Sequence, residues 1–224
     1  IYVDRKRSLA KEWDLGYGMS YRFAKDRDFQ TYDKVTGDIP TENTDSRLRE
    51  QTANVYVSLS KNYATGTSVS ISATGEYYTI GNYRKWAVYP QASLTYVKSS
   101  EHLFQFSLST DKTYPGYWDM QSSVSHLNGY TELWGTPGLK PSTAYNLNGN
   151  YIWKQKYIFG LFYTHTSDYF AQTPYQATGR LALIYKNTNW NYMRMIGVNV
   201  ILPLSMGNSV SYTHLRAHET RRHL

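Results

Sequence analysis

The sequence predicts an all-β chain, an antiparallel transmembrane β-barrel segment of about nine strands. Three observations carry this expectation. In Trp13-Asp14-Leu15-Gly16-Tyr17-Gly18-Met19-Ser20-Tyr21-Arg22-Phe23 every odd position is aromatic or large and apolar, and every even position is Gly, Ser or charged. A strand sends successive side chains to opposite faces, so this stretch has one greasy wall and one wet or crowded wall. The run is about twice the roughly 5–6 residues of a soluble strand and matches the roughly 9–11 that a tilted strand needs to cross a bilayer. Finally, the connections between such runs alternate between long and short.

The elements follow in order. After the first strand a long polar stretch, Lys25 to Glu50, carries turn signals at Thr36-Gly37-Asp38 and Ile39-Pro40. Ala53, Val55, Val57 and Leu59 share one face of the next strand, which reverses over Asn62–Thr67 around Gly66. Val69, Ile71, Ala73 and Tyr77 oppose Ser68, Ser70, Ser72, Thr74 and Glu76; Gly81-Asn82 then leads to a strand with Trp86, Val88, Ala92, Leu94 and Tyr96. Lys98–Glu101 is a tight reversal into Phe104, Phe106 and Leu108, and Asp111 to Pro141 is the longest irregular stretch. Tyr145, Leu147, Tyr151 and Trp153 alternate with Asn146, Asn148 and Asn150, turn at Lys154–Lys156, and return with Phe159, Leu161 and Tyr163. A loop near Asp168–Tyr175 precedes an expected strand at Leu181, Leu183 and Tyr185, a turn at Asn187–Asn189, and a last strand with Ile196, Val198, Val200, Leu202 and Leu204.

The connections at Lys25–Glu50, Asp111–Pro141 and Asp168–Tyr175 are long, that at Thr79–Arg84 less so, and the remaining four are short. Outer-membrane barrels have short periplasmic turns and longer extracellular loops, an asymmetry that a soluble sandwich has no reason to show. The two longest loops are therefore expected outside the cell, and Lys98–Glu101 and Lys154–Lys156 in the periplasm.

Composition narrows the classes further. With 224 residues the chain holds one large domain or two small ones. Its 23 Tyr and six Trp exceed what a core needs, and these side chains suit places with one apolar end and one wet end. The absence of Cys removes disulfides, zinc fingers and thiol nucleophiles. Mean hydropathy is negative and no apolar run approaches a transmembrane helix, which leaves a barrel open because half of each strand faces a polar lumen. The opening Ile1-Tyr2-Val3-Asp4-Arg5-Lys6-Arg7 has neither initiator Met nor apolar signal segment, as expected of an internal fragment.

The chain divides into residues 1–210, a partial outer-membrane barrel domain, and residues 211–224, a stretch that breaks with the preceding alternation. The latter resembles translated sequencing-adapter read-through and is expected to be non-native, helical or disordered, with few contacts to the sheet. It contributes Arg216, Arg221 and Arg222 against Glu219, a net +2 of the formal +7. His214 and His218 stand four apart, a spacing that metal-binding helices use, although a tail without function explains them as well.

Few residues suggest chemistry. Tyr117, Trp118, Tyr130 and Trp134 form either a stacking platform for a ligand or a loop folded on itself. Trp13, Trp86, Trp153 and Trp190 fit an interfacial girdle. Arg5, Lys6, Arg7 and Lys11 read as a solvated turn rather than a nucleic-acid patch. Arg22, Glu76 and Arg180 read as isolated lumen charges, and nothing fixes Asp119 and Glu132 as an acid–base pair. No catalytic, cofactor or metal residue is assigned, no cofactor is expected, and the chain is not expected to be an enzyme.

Tyr114-Pro115-Gly116-Tyr117-Trp118-Asp119-Met120, followed by Tyr130-Thr131-Glu132-Leu133-Trp134 and Gly135-Thr136-Pro137-Gly138-Leu139-Lys140-Pro141, resembles the barrel of TonB-dependent-receptor-like outer-membrane proteins of the Bacteroidota. Gly135, Pro137, Leu139, Lys140 and Pro141 fit that family's Gly-Asn-Pro-x-Leu-Lys-Pro stretch; Thr136 replaces its Asn, and Met120-Gln121-Ser122-Ser123 departs from its Leu-Asn-Pro-Phe type. The resemblance covers roughly residues 10–205. It implies a barrel of about 22 strands, a plug domain in the lumen, the outer-membrane bilayer as surroundings and a TonB-type energy-coupling partner, with no nucleic acid. It also implies uptake of a nutrient such as a glycan, siderophore or peptide, without saying which. The competing class is a soluble or secreted β-sandwich that binds carbohydrate, distinguished by strand length and loop asymmetry.

Overall fold

The computed structural model describes residues 1–31, 43–206 and 209–223. Ten strands form one continuous antiparallel wall: β1 (Tyr2–Ser8), β2 (Trp13–Gln30), β3 (Thr44–Asn62), β4 (Ser68–Ile80), β5 (Tyr83–Ser99), β6 (His102–Thr113), β9 (Ser142–Trp153), β10 (Tyr157–Ser167), β13 (Tyr192–Met206) and β14 (Ser209–His223). The remaining four, β7 (Val124–Asn128), β8 (Thr131–Trp134), β11 (Phe170–Gln176) and β12 (Leu183–Asn189), make a second sheet in the order β11-β12-β8-β7. The wall does not close: β1 and β14 are its two edges. Among the described residues no helix is long and apolar enough to cross a membrane.

Cross-strand register turns the alternation into rows. Leu15, Leu59, Ile71, Ala92, Leu108, Leu147, Tyr163 and Ile196 are successive partners across eight strands. These rows lie on a face that nothing else among the described residues covers, with Ile71 60% exposed and Trp86 76% exposed. In water an apolar area of this size would be an association surface; in a bilayer it is solvated.

Aromatic rows bound the belt above and below. At the short-turn end Tyr96, Phe104, Tyr151 and Phe159 are successive partners, with ring centroids 6.3, 4.9 and 6.1 Å apart. At the other end Tyr21, Ala53, Tyr77 and Trp86 align, the last two rings 4.6 Å apart. Ten residue steps separate Trp86 from Tyr96 on β5. At about 3.3 Å per residue and a tilt of about 40°, the band is about 25 Å tall, as outer-membrane barrels require. The opposite face is polar: Ser70, Ser72, Gln91, Ser93, Ser107 and Ser109 line a shallow depression on it.

Several expectations need correction. Eight of the nine expected strands belong to the wall, but of the strand expected at Leu181, Leu183 and Tyr185 the last two residues fall on β12 of the second sheet and Leu181 precedes it, and Asn187–Asn189 is the end of β12 rather than a turn at the short-loop side. β1 was not expected. Arg5, Lys6 and Arg7 sit in this strand, not in a turn, because ladder bonds come from the backbone and need no apolar side chain. Lys6 pairs with Asp14 at 3.0 Å, and register puts Arg5 and Arg7 opposite Tyr17 and Leu15 on the edge strand of the wall.

Much of Lys25–Glu50 is strand: β2 and β3 stay paired up to Gln30–Thr44, and the turn signals at residues 36–40 lie outside the described residues. The Thr79–Arg84 connection is the two-residue turn Gly81-Asn82, with Gly81 at φ +54. Ser209–His223 is neither helix nor detached appendage. It pairs residue for residue with β13 from Met206–Ser209 to Tyr192–His223, because β13 offers an open edge and the backbone of any non-proline sequence can fill it.

Candidate ligand-facing site at the long-loop end

Asp111–Pro141 is expected to be irregular, but it folds into a cap over the polar face of the wall. Tyr78 and Ile80, on the polar side of β4, meet Met120 and Leu139 in a buried cluster flanked by Leu48, Tyr83, Tyr114, Tyr117 and Phe170. Leu139 is 1% exposed. The Gly135–Pro141 motif is thus a clamp. Gly135 is required because a Cβ there would overlap the Gln121 carbonyl oxygen, and Gly138 takes φ +83. Thr136 Oγ1 donates to the Asn187 carbonyl at 2.6 Å, and Lys140 N donates to Asn189 Oδ1 at 2.8 Å, fastening the motif to β12.

Two buried carboxylates tie the cap to the wall. Glu76 accepts from Lys112 Nζ, from Tyr114 OH and, at 3.3 Å, from Tyr89 OH. Glu50 accepts from Tyr117 OH and lies 3.5 Å from the Arg22 guanidinium. The opening for these side chains arises where β5 and β6 part company: their ladder ends at Ala92–Leu108, and Thr110 Oγ1 donates to the carbonyl of Pro90, which has no N–H to offer β6. Burial, followed by the hydrogen bond to Glu50, pushes the Tyr117 phenol up to about 12.

Glu132 organises the second sheet. It is 3% exposed, accepts from both Nη atoms of Arg180 and from Trp134 Nε1 at 2.8 Å, and lies 3.6 Å from His126 Nδ1. The hydrogen bond from Arg180 leads the causes that hold its carboxyl below the usual range, and the same bond raises Arg180. Beside this pair opens a cleft of about 630 Å³ whose lining includes Thr44, Ser122, Trp134, Gln176, Thr178 and Arg180. With its ion pair internally neutralised, the cleft offers hydroxyls, an amide and one indole face, which are means of holding a polar solute without fixed charge.

The residues singled out from sequence are redistributed. Tyr117 enters the cap core, Trp134 lines the cleft, and Trp118 and Tyr130 are exposed; the four do not form one platform. Arg22, Glu76 and Arg180 are not isolated charges, since each has a carboxylate or cationic partner. Asp119 and Glu132 do not form an acid–base pair: Asp119 accepts from Asn187 Nδ2 at 2.8 Å and from Gly116 N at 3.2 Å, while Glu132 serves Arg180. Trp13, Trp86 and Trp153 stand at strand ends of the wall, whereas Trp190 sits between β12 and β13 with a buried indole nitrogen.

His214 and His218 lie along a strand, where four residues span about 13 Å, so the helical spacing argument does not apply. Among the described residues no cluster of three or more His, Asp or Glu could hold a metal. Glu50, Lys112 and the cleft were missed from sequence. The signal available was a Glu or Lys on an otherwise neutral polar face.

The comparisons agree with this geometry. The family described as "Outer membrane protein beta-barrel family" matches residues 1–216. Similar solved structures include the ferric enterobactin receptor PfeA from Pseudomonas aeruginosa in complex with enterobactin, with TM-score 0.64, 16% identity, and coverage of 97% of this chain and 35% of that one. The copper transporter OprC gives TM-score 0.65 at 12% identity, covering 96% and 36%. The siderophore receptor PirA from Pseudomonas aeruginosa gives 0.64 at 11% identity, covering 98% and 42%. This chain therefore spans between about a third and two-fifths of the length of these structures. No curated protein sequence matches significantly.

Proposed function

Since the chain belongs to the outer membrane protein beta-barrel family and its place is the cell outer membrane, we propose that it is part of the wall and external cap of a TonB-dependent receptor that takes up a nutrient. The observation that carries this is the two-faced wall itself: an apolar belt between two aromatic rows on one side, and on the other a hydroxyl- and amide-lined face roofed by a folded external loop. A wall of ten strands with two free edges cannot persist in hydrocarbon unless further strands close it. The matched structures are about two to three times as long as this chain.

In this reading the long-loop end faces outward and the cleft beside Glu132–Arg180 belongs to the capture surface. A glycan, siderophore or peptide would pass along the serine-rich lumen once a TonB-type partner, acting through a plug domain, opens the way. The Gly135–Pro141 motif supports a Bacteroidota-type receptor in particular. The competing β-sandwich reading requires a second sheet packed face to face on the apolar side, and the second sheet present here instead joins the cap at the wall's long-loop end.

The test uses the full-length gene in its own host. Loss of the gene should abolish growth on one nutrient, loss of TonB should reproduce that defect, and the protein should fractionate with the outer membrane. Uptake that persists without TonB, or recovery of the protein in the soluble fraction, would overturn the proposal.

A further inference from the structure

The apolar belt has a notch at Gly149. Gly149 on β9 stands in the row Leu94–Phe106–Gly149–Leu161–Val198, and the place its Cβ would occupy has nothing within 4 Å. Its neighbours on both sides are large, and their backbones are two interstrand spacings, about 9.6 Å, apart. A groove of about 420 Å³ results, floored by Gly149 and walled by Phe106, Leu161 and the Phe104–Tyr151–Phe159 stack. Its exposed surface is almost wholly carbon. A slot of this chemistry, one residue wide, suits a hydrocarbon chain rather than a protein segment with polar backbone.

What lies beneath the groove indicates the head of that chain. One step past the aromatic row, His102 Nδ1 and Tyr151 OH are 2.8 Å apart, and Trp153 and Tyr157 rings lie 5.1 Å apart. Below them the β5–β6 and β9–β10 turns touch: Lys154 N donates to the Glu101 carbonyl at 2.7 Å, and Gln155 Nε2 to the Ser100 carbonyl at 3.3 Å. This contact brings together two turns that carry Lys98, Lys154 and Lys156 against Glu101 as their one acidic residue, so the foot of the groove has a net positive charge. An apolar slot, an aromatic interface and a basic foot repeat, in order, the acyl chain, glycerol region and phosphate of an anionic phospholipid.

We propose that this groove is a binding site for an anionic phospholipid of the leaflet on the short-turn side, with one acyl chain against Gly149 and the phosphate at Lys98, Lys154 and Lys156. The site rests on the chain's place in the outer membrane and not on any nutrient. Glycines on the belt are not sufficient for it. Gly75 shares the lipid-facing side, in the row of Met19, Val55 and Val88, but the turn at the foot of its own strand, Asn62–Thr67, carries no lysine or arginine.

The full-length protein, purified in detergent and confirmed folded by its heat-dependent gel mobility, is exchanged into nanodiscs of phosphatidylcholine doped with phosphatidylglycerol. Retained lipid is then counted by native mass spectrometry. The wild-type protein should retain one phosphatidylglycerol in preference to phosphatidylcholine. Gly149→Leu should abolish that retention and the control Gly75→Leu should leave it. Neutralising Lys98, Lys154 and Lys156 to Gln should reduce the preference for the anionic lipid by about fivefold per lysine. Equal retention by Gly149→Leu, an undiminished preference in the lysine variant, or displacement of phosphatidylglycerol by lipid A would each overturn the site. Nutrient uptake measured on the same variants separates this outcome from failure of the receptor proposal, since Gly149→Leu should transport normally.

Discussion

A charge placed at Ile71 gives the sharpest test of which face meets lipid. Ile71 pairs with Ala92 on β5, and Ala92 lies one residue from the midpoint between the aromatic positions Trp86 and Tyr96, so an arginine there would sit near the bilayer midplane. Its own row is apolar for two strands on either side, through Leu59 and Leu15 and through Ala92 and Leu108, and it offers the guanidinium no carboxylate. Ile71→Arg should therefore cost about 2–4 kcal/mol, or about 30- to 900-fold in the folding equilibrium of the complete barrel. Ser72→Arg, one residue on, points into the hydroxyl-lined lumen and should change stability by no more than about 0.5 kcal/mol. Phe23→Arg lies above the belt, in a row that already holds Arg84, and should cost about 0–1 kcal/mol. Denaturant titration of the full-length protein in lipid vesicles, read by the mobility difference between folded and unfolded barrel, reports all three. Equal costs at positions 71 and 72 would refute the facial assignment, and equal costs at positions 71 and 23 would refute the depth of the belt.

Other expectations concern the cap. Glu132→Gln should weaken the second sheet by about 1–3 kcal/mol, because Arg180 loses its charged partner, and should appear as faster hydrogen exchange in β8 and β12 with β4 unchanged. The same carboxyl is held below its ordinary pKa of about 4.3, so its contribution is full above that value and is lost as pH falls through the lowered folded value; protection of the β8 amides, relative to their intrinsic exchange at each pH, should be flat from neutral pH downward and fall only in that acid window. Gly135→Ala should cost about 1–3 kcal/mol in cap stability, read as protease sensitivity of residues 114–141, since its Cβ meets backbone at Gln121 that cannot step aside. Tags inserted in residues 31–43 should be reachable on intact cells, and tags at Lys154–Lys156 should not. We also propose that residues 211–224 are not native: β14 places Glu219, paired with Arg221 at 2.8 Å, opposite Ile196 in an apolar row, and charge on the lipid-facing side of a barrel is costly. Sequencing the locus should show an alternating strand in their place, and finding these fourteen residues encoded there would refute this.

What the sequence by itself determined is local and periodic. Alternation over Trp13–Phe23 and its successors set which side chains share a face, and the polar turns at Asn62–Thr67, Lys98–Glu101 and Lys154–Lys156 set where the chain reverses. Both are properties of neighbouring residues, so no distant contact was needed to read them. The Gly135–Pro141 motif was legible as a pattern, but its work as a clamp was not, because Gln121 and Asn187 become its neighbours only on folding.

Tertiary structure decided what alternation leaves open. The run with Leu181, Leu183 and Tyr185 is apolar enough for a spanning strand, but Leu183–Lys186 pairs in parallel with Thr131–Trp134, because an apolar pattern reports burial without saying which sheet provides it. The basic run Arg5–Arg7 and the histidine-rich stretch after Ser209 carry no apolar face, yet both become strands because a neighbouring backbone edge was available. The candidate site was the least legible part. Glu132 and Arg180 are 48 residues apart, and Glu76 and Lys112 are 36 apart. Only the separation of β5 from β6 above Pro90 and the folding of the cap onto β4 bring such charges out of water together, where each requires the other.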